Sequence, residues 1–81
     1  MELTEIYKQL EIILIEITGD ETLHVDENTT TDEISGWSSL VQTHLIVKVE
    51  HYFNCRLTLR DIMLIKKNIS TIANLIAEKI K

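Results

Sequence analysis

What most constrains this chain is the spacing of its apolar residues at the start: Leu3, Ile6, Tyr7, Leu10, Ile13, Leu14 and Ile17. Steps of three and four put all seven on one side of an α-helix. Ile12 and Ile15 broaden the stripe, while Glu5, Lys8, Glu11 and Glu16 hold the far side in water. Thr18 and Gly19 end the helix, glycine being the residue that most readily takes the left-handed conformation after a last turn. No proline occurs in 81 residues, so nothing breaks later helical runs at fixed points. A chain this short forms one small domain and leaves no room for a deep enzyme cavity.

The same periodicity recurs twice more. Leu40, Thr43, Ile46, Val49 and Phe53 predict a helix from Ser39 to Phe53, flanked by Leu45, Val47 and Tyr52, with Asn54 as its exit. Ser70 reads as the N-cap of a last helix that carries Ile72, Leu75, Ile76 and Ile80 inward, with Ile69 as a hydrophobic staple before the cap. Lys79 and Lys81 suit the negative end of that helix. Between these runs, Leu57 to Ile65 forms a short piece, with Thr58 as its cap and Leu59, Ile62, Met63 and Ile65 as apolar contacts. It is too short to be stable without tertiary packing. The fold class expected is all-α: a small bundle of three longer helices and one short helix, spanning 1–81 as a single domain.

Residues 20 to 36 lack any sustained period and are rich in Asp, Glu, Thr and Asn, the signature of a long turn-forming loop. Leu23, Val25 and Ile34 are expected to pin it to the core. Charge is divided sharply around it. Residues 1 to 33 carry ten acids against Lys8, and residues 34 to 81 carry three acids against seven bases, for an overall −5. A net acidic chain with no basic stripe is not a nucleic-acid binder. The lone Cys55 forms no internal disulfide and reads as a small buried hydrophobe. With no secretory leader pattern after Met1 and no apolar run long enough to cross a bilayer, a reducing cytoplasm is the expected compartment, without membrane contact.

The candidate site is Gly36, Trp37, Ser38, Ser39 and Leu40, where the acidic loop gives way to the second helix. Ser38 is a natural N-cap, which leaves Ser39 at the first helical position with its hydroxyl outward. The unpaired N–H groups and dipole of a helix start favour an anion, so a phosphodiester on Ser39 would be well placed. Ser39 is therefore the expected attachment point of a covalent prosthetic arm. Trp37 reads as a core anchor that also borders the attached group. Hydrolysis by Ser39 is not expected, because His44 lies five residues on, outside the favourable i+3 and i+4 positions, and all three histidines, His24, His44 and His51, read as surface or half-buried residues. No histidine pair or cysteine companion suggests a metal site.

The order of these features resembles the acyl carrier protein and peptidyl carrier protein family along nearly the whole chain. The resemblance rests on GWSSL leading into LVQTHLIVKVEHYF, on the apolar Ile34 three residues before Trp37, on the first-helix stripe, and on the ending T-I-x-x-L-I-x-x-x-I from Thr71 to Ile80. It implies a four-helix carrier domain whose Ser39 receives 4′-phosphopantetheine from coenzyme A through a separate Mg²⁺-using phosphopantetheinyl transferase. The arm would hold acyl or aminoacyl groups as thioesters and present them to loading and acyl-using enzymes, the domain being a carrier and not a catalyst. A monomer suffices for this role. The family commonly has Asp where this chain has Ser38, and its fatty-acid members an acidic second helix where this one offers Val41, Gln42, His44, Lys48, Glu50 and His51. The first departure bears on recognition by the transferase; the second favours a specialised carrier of the polyketide, nonribosomal-peptide or D-alanyl type over the housekeeping fatty-acid one. The alternative is a carrier-like interaction module that has lost the arm.

Overall fold

The computed structural model describes residues 2–65 and 68–80 and contains four α-helices: α1 (Leu3–Thr18), α2 (Ser39–Phe53), α3 (Leu59–Leu64) and α4 (Ile69–Lys79). Helix α1 packs against both α2 and α4. The core is the junction of these faces, built from Ile6, Leu10 and Leu14 of α1, Leu45 and Val49 of α2, and Ile69, Ile72 and Ile76 of α4. All of these are almost completely withdrawn from water, and each contributes about 1.5–3 kcal/mol by the transfer of its side chain. No strand forms among the described residues; the single bridge joins Thr30 to Asn68.

Helix α1 ends as its sequence dictates. Gly19 takes φ 76° and its N–H donates to the Ile15 carbonyl, a left-handed exit that a Cβ would strain. Thr18 is still helical, its hydroxyl donating to the Leu14 carbonyl at 2.8 Å. Leu3 and Ile12 fall outside the buried stripe and are exposed. The loop that follows is tied down where expected, with Val25 and Ile34 buried and Leu23 partly so. It also holds a feature without a sequence signal, a 3-10 turn at Thr31–Glu33.

Three expectations are corrected. In α2 the buried residues are Leu45, Val49 and Phe53, with Val41 and Ile46 partly covered; Leu40 and Thr43 face solvent, as do Val47 and Tyr52. This helix is apolar on several faces, so periodicity alone did not fix which one meets α1. Around α3, the flanking Leu57 and Ile65 bury and Ile62 within the helix is partly covered, but Leu59 and Met63 are 73% and 74% exposed, because a helix of less than two turns presents only one narrow edge to the core. In α4 the helix begins at Ile69, which is fully buried, and Asn68 occupies the N-cap position without a side-chain cap bond. The Ile69 N–H donates to the Thr29 carbonyl at 3.1 Å, so a loop backbone group takes the part expected of Ser70. Lys79 lies in the last turn of α4; Lys81 lies outside the described residues.

Candidate functional site

The approach to α2 is set by Ile34 and Gly36. Ile34 is buried, the Trp37 N–H donates to its carbonyl at 3.2 Å, and Gly36 between them adopts φ 79°. That tight reversal needs the left-handed conformation, which glycine enters without a Cβ clash. It delivers Trp37 half-buried against the core, as an anchor should be. Ser38 then follows in extended conformation and its Oγ accepts from the Val41 N–H at 3.3 Å, making it the N-cap.

Ser39 is thereby the first residue of α2 and is exposed to solvent. Its carbonyl accepts the Thr43 hydroxyl at 2.9 Å, which stiffens the first turn beneath it. The ladder starts with the Gln42 N–H on the Ser38 carbonyl, so the N–H groups of Ser39 and Leu40 lie ahead of it and face outward with the positive end of the helix. No acidic side chain lies in this first turn. A negatively charged group attached to Ser39 therefore meets unpaired donors and no neighbouring carboxylate on α2. Leu40 sits next to it, 69% exposed.

The five residues singled out from sequence, Gly36, Trp37, Ser38, Ser39 and Leu40, thus form the entry to α2 and its first turn. The exposure of Leu40 was missed, because its spacing to Thr43 and Ile46 counted it as core. A signal was available: Val41, its neighbour, begins the i, i+4 series Val41, Leu45, Val49, Phe53 that α2 turns inward.

The histidines are surface residues. His24 lies 3.0 Å from Glu11 and 3.7 Å from Asp26, far along the chain from Ser39, and His44 and His51 are exposed. Among the described residues no group of histidine, cysteine and carboxylate side chains could hold a metal ion. Cys55 is partly buried against the core, and that burial, followed by the Glu50 carboxylate, pushes its thiol above the ordinary range. An unreactive thiol follows. No helix among the described residues is long and apolar enough to cross a membrane.

A four-helix bundle with a capped, solvent-facing serine at the start of its second helix defines a class of small proteins suited to carrying a covalent group. Residues 8–76 match the sequence profile of the family described as "Phosphopantetheine attachment site", and the chain belongs to that family. Its fold superimposes on the solution NMR structure of the holo acyl carrier protein from Geobacter metallireducens with a TM-score of 0.80 and 25% sequence identity, covering 90% of this chain and 83% of that one. Comparison with curated proteins finds no significant relative. The protein is an acyl-carrier-type domain, and its prosthetic group is covalently attached 4′-phosphopantetheine.

Proposed function

We propose that Ser39 is the attachment residue and that the protein carries acyl or aminoacyl groups between enzymes of a specialised biosynthetic pathway. The observation that carries this reading is the placement of Ser39: exposed, at the first position of a capped α2, with unpaired backbone donors beside it. When bound, the arm supplies a terminal thiol that holds the cargo as a thioester. The chain's own residues do the rest. Ser38 fixes the start of the helix, Thr43 braces the Ser39 carbonyl, Trp37 anchors the incoming loop, and the N–H groups of Ser39 and Leu40 favour the anionic linkage.

The domain acts by raising the local concentration of a tethered intermediate and not by catalysing its reaction. The partners proposed are a phosphopantetheinyl transferase and the enzymes that load and consume the acyl or aminoacyl group. Ser38 in place of the family's usual Asp keeps the cap while removing a charge next to Ser39, and α2 lacks an acidic face; both support a specialised partner set.

The test is incubation of the purified protein with coenzyme A, Mg²⁺ and a broad-specificity phosphopantetheinyl transferase, followed by intact mass. The wild type and Ser38→Ala gain one phosphopantetheine group and Ser39→Ala gains none. A wild type that stays unmodified would favour an armless interaction module, and labelling of Ser39→Ala would place the arm elsewhere.

A further inference from the structure

A phosphodiester on Ser39 would stand among the side chains of the first two turns of α2, where the other polar residues are Gln42, Thr43 and His44. Thr43 is already committed: its hydroxyl donates to the Ser39 carbonyl at 2.9 Å and has only lone pairs left to offer an anion. His44 lies five residues on, about 140° round the helix from Ser39, and is exposed. Ahead of the helix, Ser38 is occupied in capping the Val41 N–H and Trp37 packs against the core.

Gln42 has no such commitment. It stands three residues after Ser39 on the same face of α2, a step that sets Cβ atoms about 5–6 Å apart. Helical side chains lean toward the N-terminus, so the surface that a residue at this position covers lies over the turn that Ser39 opens. The Gln42 backbone N–H donates to the Ser38 carbonyl at 3.0 Å, but its carboxamide makes no hydrogen bond among the described residues. The residue is also half-buried. A partly covered amide without a partner in the chain carries an unmet desolvation cost. Its cover has also removed some of the rotamer freedom that a new hydrogen bond would otherwise take away.

Resting on Ser39 as the attachment residue, we infer that Gln42 is a positioning residue for the arm. Its carboxamide N–H donates to a non-bridging oxygen of the phosphodiester and holds the root of 4′-phosphopantetheine over the first turn of α2. A hydrogen bond to an ionised acceptor is about twice as strong as a neutral one. The unpaired N–H groups of Ser39 and Leu40 meet the same anion from the end of the helix, and Gln42 adds a donor from its side. Because the carboxamide is neutral, it gives direction without the longer-range pull of an ammonium or guanidinium group, and the arm beyond its phosphate stays free to swing.

The experiment converts isotope-labelled apo protein to the holo form with coenzyme A, Mg²⁺ and a broad-specificity phosphopantetheinyl transferase. The Gln42 side-chain amide is then followed by heteronuclear NMR and the arm by phosphorus NMR. In the wild type one Gln42 amide proton is expected to move downfield on modification, and the phosphorus signal to lie away from that of the same group on a short unfolded peptide. Gln42→Met, similar in length but without a donor, is expected to bring the phosphorus signal toward the peptide position. Gln42→Arg, which restores a donor of sufficient reach, is expected to displace it again. Gln42 side-chain resonances that stay in place on modification overturn the inference, and this comparison needs no variant to fold. A phosphorus signal identical in wild type and Gln42→Met overturns it as well. Either result in a protein that takes up the arm at Ser39 leaves the carrier reading intact, whereas no gain in mass, or a gain that persists in Ser39→Ala, overturns the reading of Ser39 and this inference with it.

Discussion

Ser38 is the residue on which the geometry of the proposed attachment site turns, and replacing it separates its two roles. The Ser38→Ala change removes the acceptor for the Val41 N–H. Loss of an N-cap costs about 0.5–2 kcal/mol, and the low end applies here because the bond is 3.3 Å long and exposed, so water takes over part of it. For a domain of this size 1 kcal/mol moves Tm by about 4–8 °C, so a loss near 0.5 kcal/mol lowers it by about 2–4 °C. Ser38→Asp keeps an acceptor and adds a negative charge at the start of a helix whose first turn has none, which is worth about 0.3–1 kcal/mol and raises the apo Tm. The arm itself should stabilise the wild type by a similar amount, its phosphate lying at the same helix end. In the Asp variant the two anions lie roughly 6 Å apart and repel by about 0.7 kcal/mol in water, of which salt removes around half. The rise in Tm on modification is therefore expected to be smaller in Ser38→Asp than in the wild type. Differential scanning calorimetry of apo and holo forms of the three proteins measures all six values. An unchanged Tm in Ser38→Ala, or a lowered apo Tm in Ser38→Asp, would refute the capped, donor-rich description of this helix start.

Two further perturbations probe what holds the site's surroundings in place. The Glu11 carboxylate accepts the Val25 N–H at 2.8 Å and so ties the acidic loop to α1; Glu11→Ala strands a donor on a buried residue and should destabilise by about 1–3 kcal/mol in urea unfolding, whereas Glu11→Gln, which retains an acceptor, should remain close to wild type. Asp61 closes a capping box with Thr58 and binds Lys79 of α4, and the Lys79 ammonium, followed by the Thr58 N–H, holds its carboxyl down at about 2. A depressed carboxyl stabilises the fold above the unfolded value near 3.9, and that contribution fades as pH falls toward 2. Asp61→Asn should therefore be less stable than wild type at pH 6, and the gap should shrink between pH 4 and pH 2 in acid titrations followed by circular dichroism.

The long helices were legible because each repeats an apolar step of three or four over at least three turns, and the ends of α1 and α2 because Gly19, Ser38 and Asn54 have local chemistry that suits a cap. The geometry of the α2 start was legible for the same reason. Capping is a property of a few adjacent residues, so GWSSL by itself assigns Ser38 to the cap and Ser39 to the first exposed turn.

Tertiary structure decided what local chemistry leaves open. In α2 eight of fifteen residues are apolar, so several faces could have met the core; contact with α1 selected Leu45, Val49 and Phe53 and left Leu40 and Val47 in water. Likewise the start of α4 was fixed by the Thr29 carbonyl, a group 40 residues away that no reading of Ser70 could anticipate. Sequence thus determined where α2 begins and which of its two serines caps it, since both depend on near neighbours. Only the packed fold determined which side chains surround that serine, since burial depends on what comes from elsewhere in the chain to cover them.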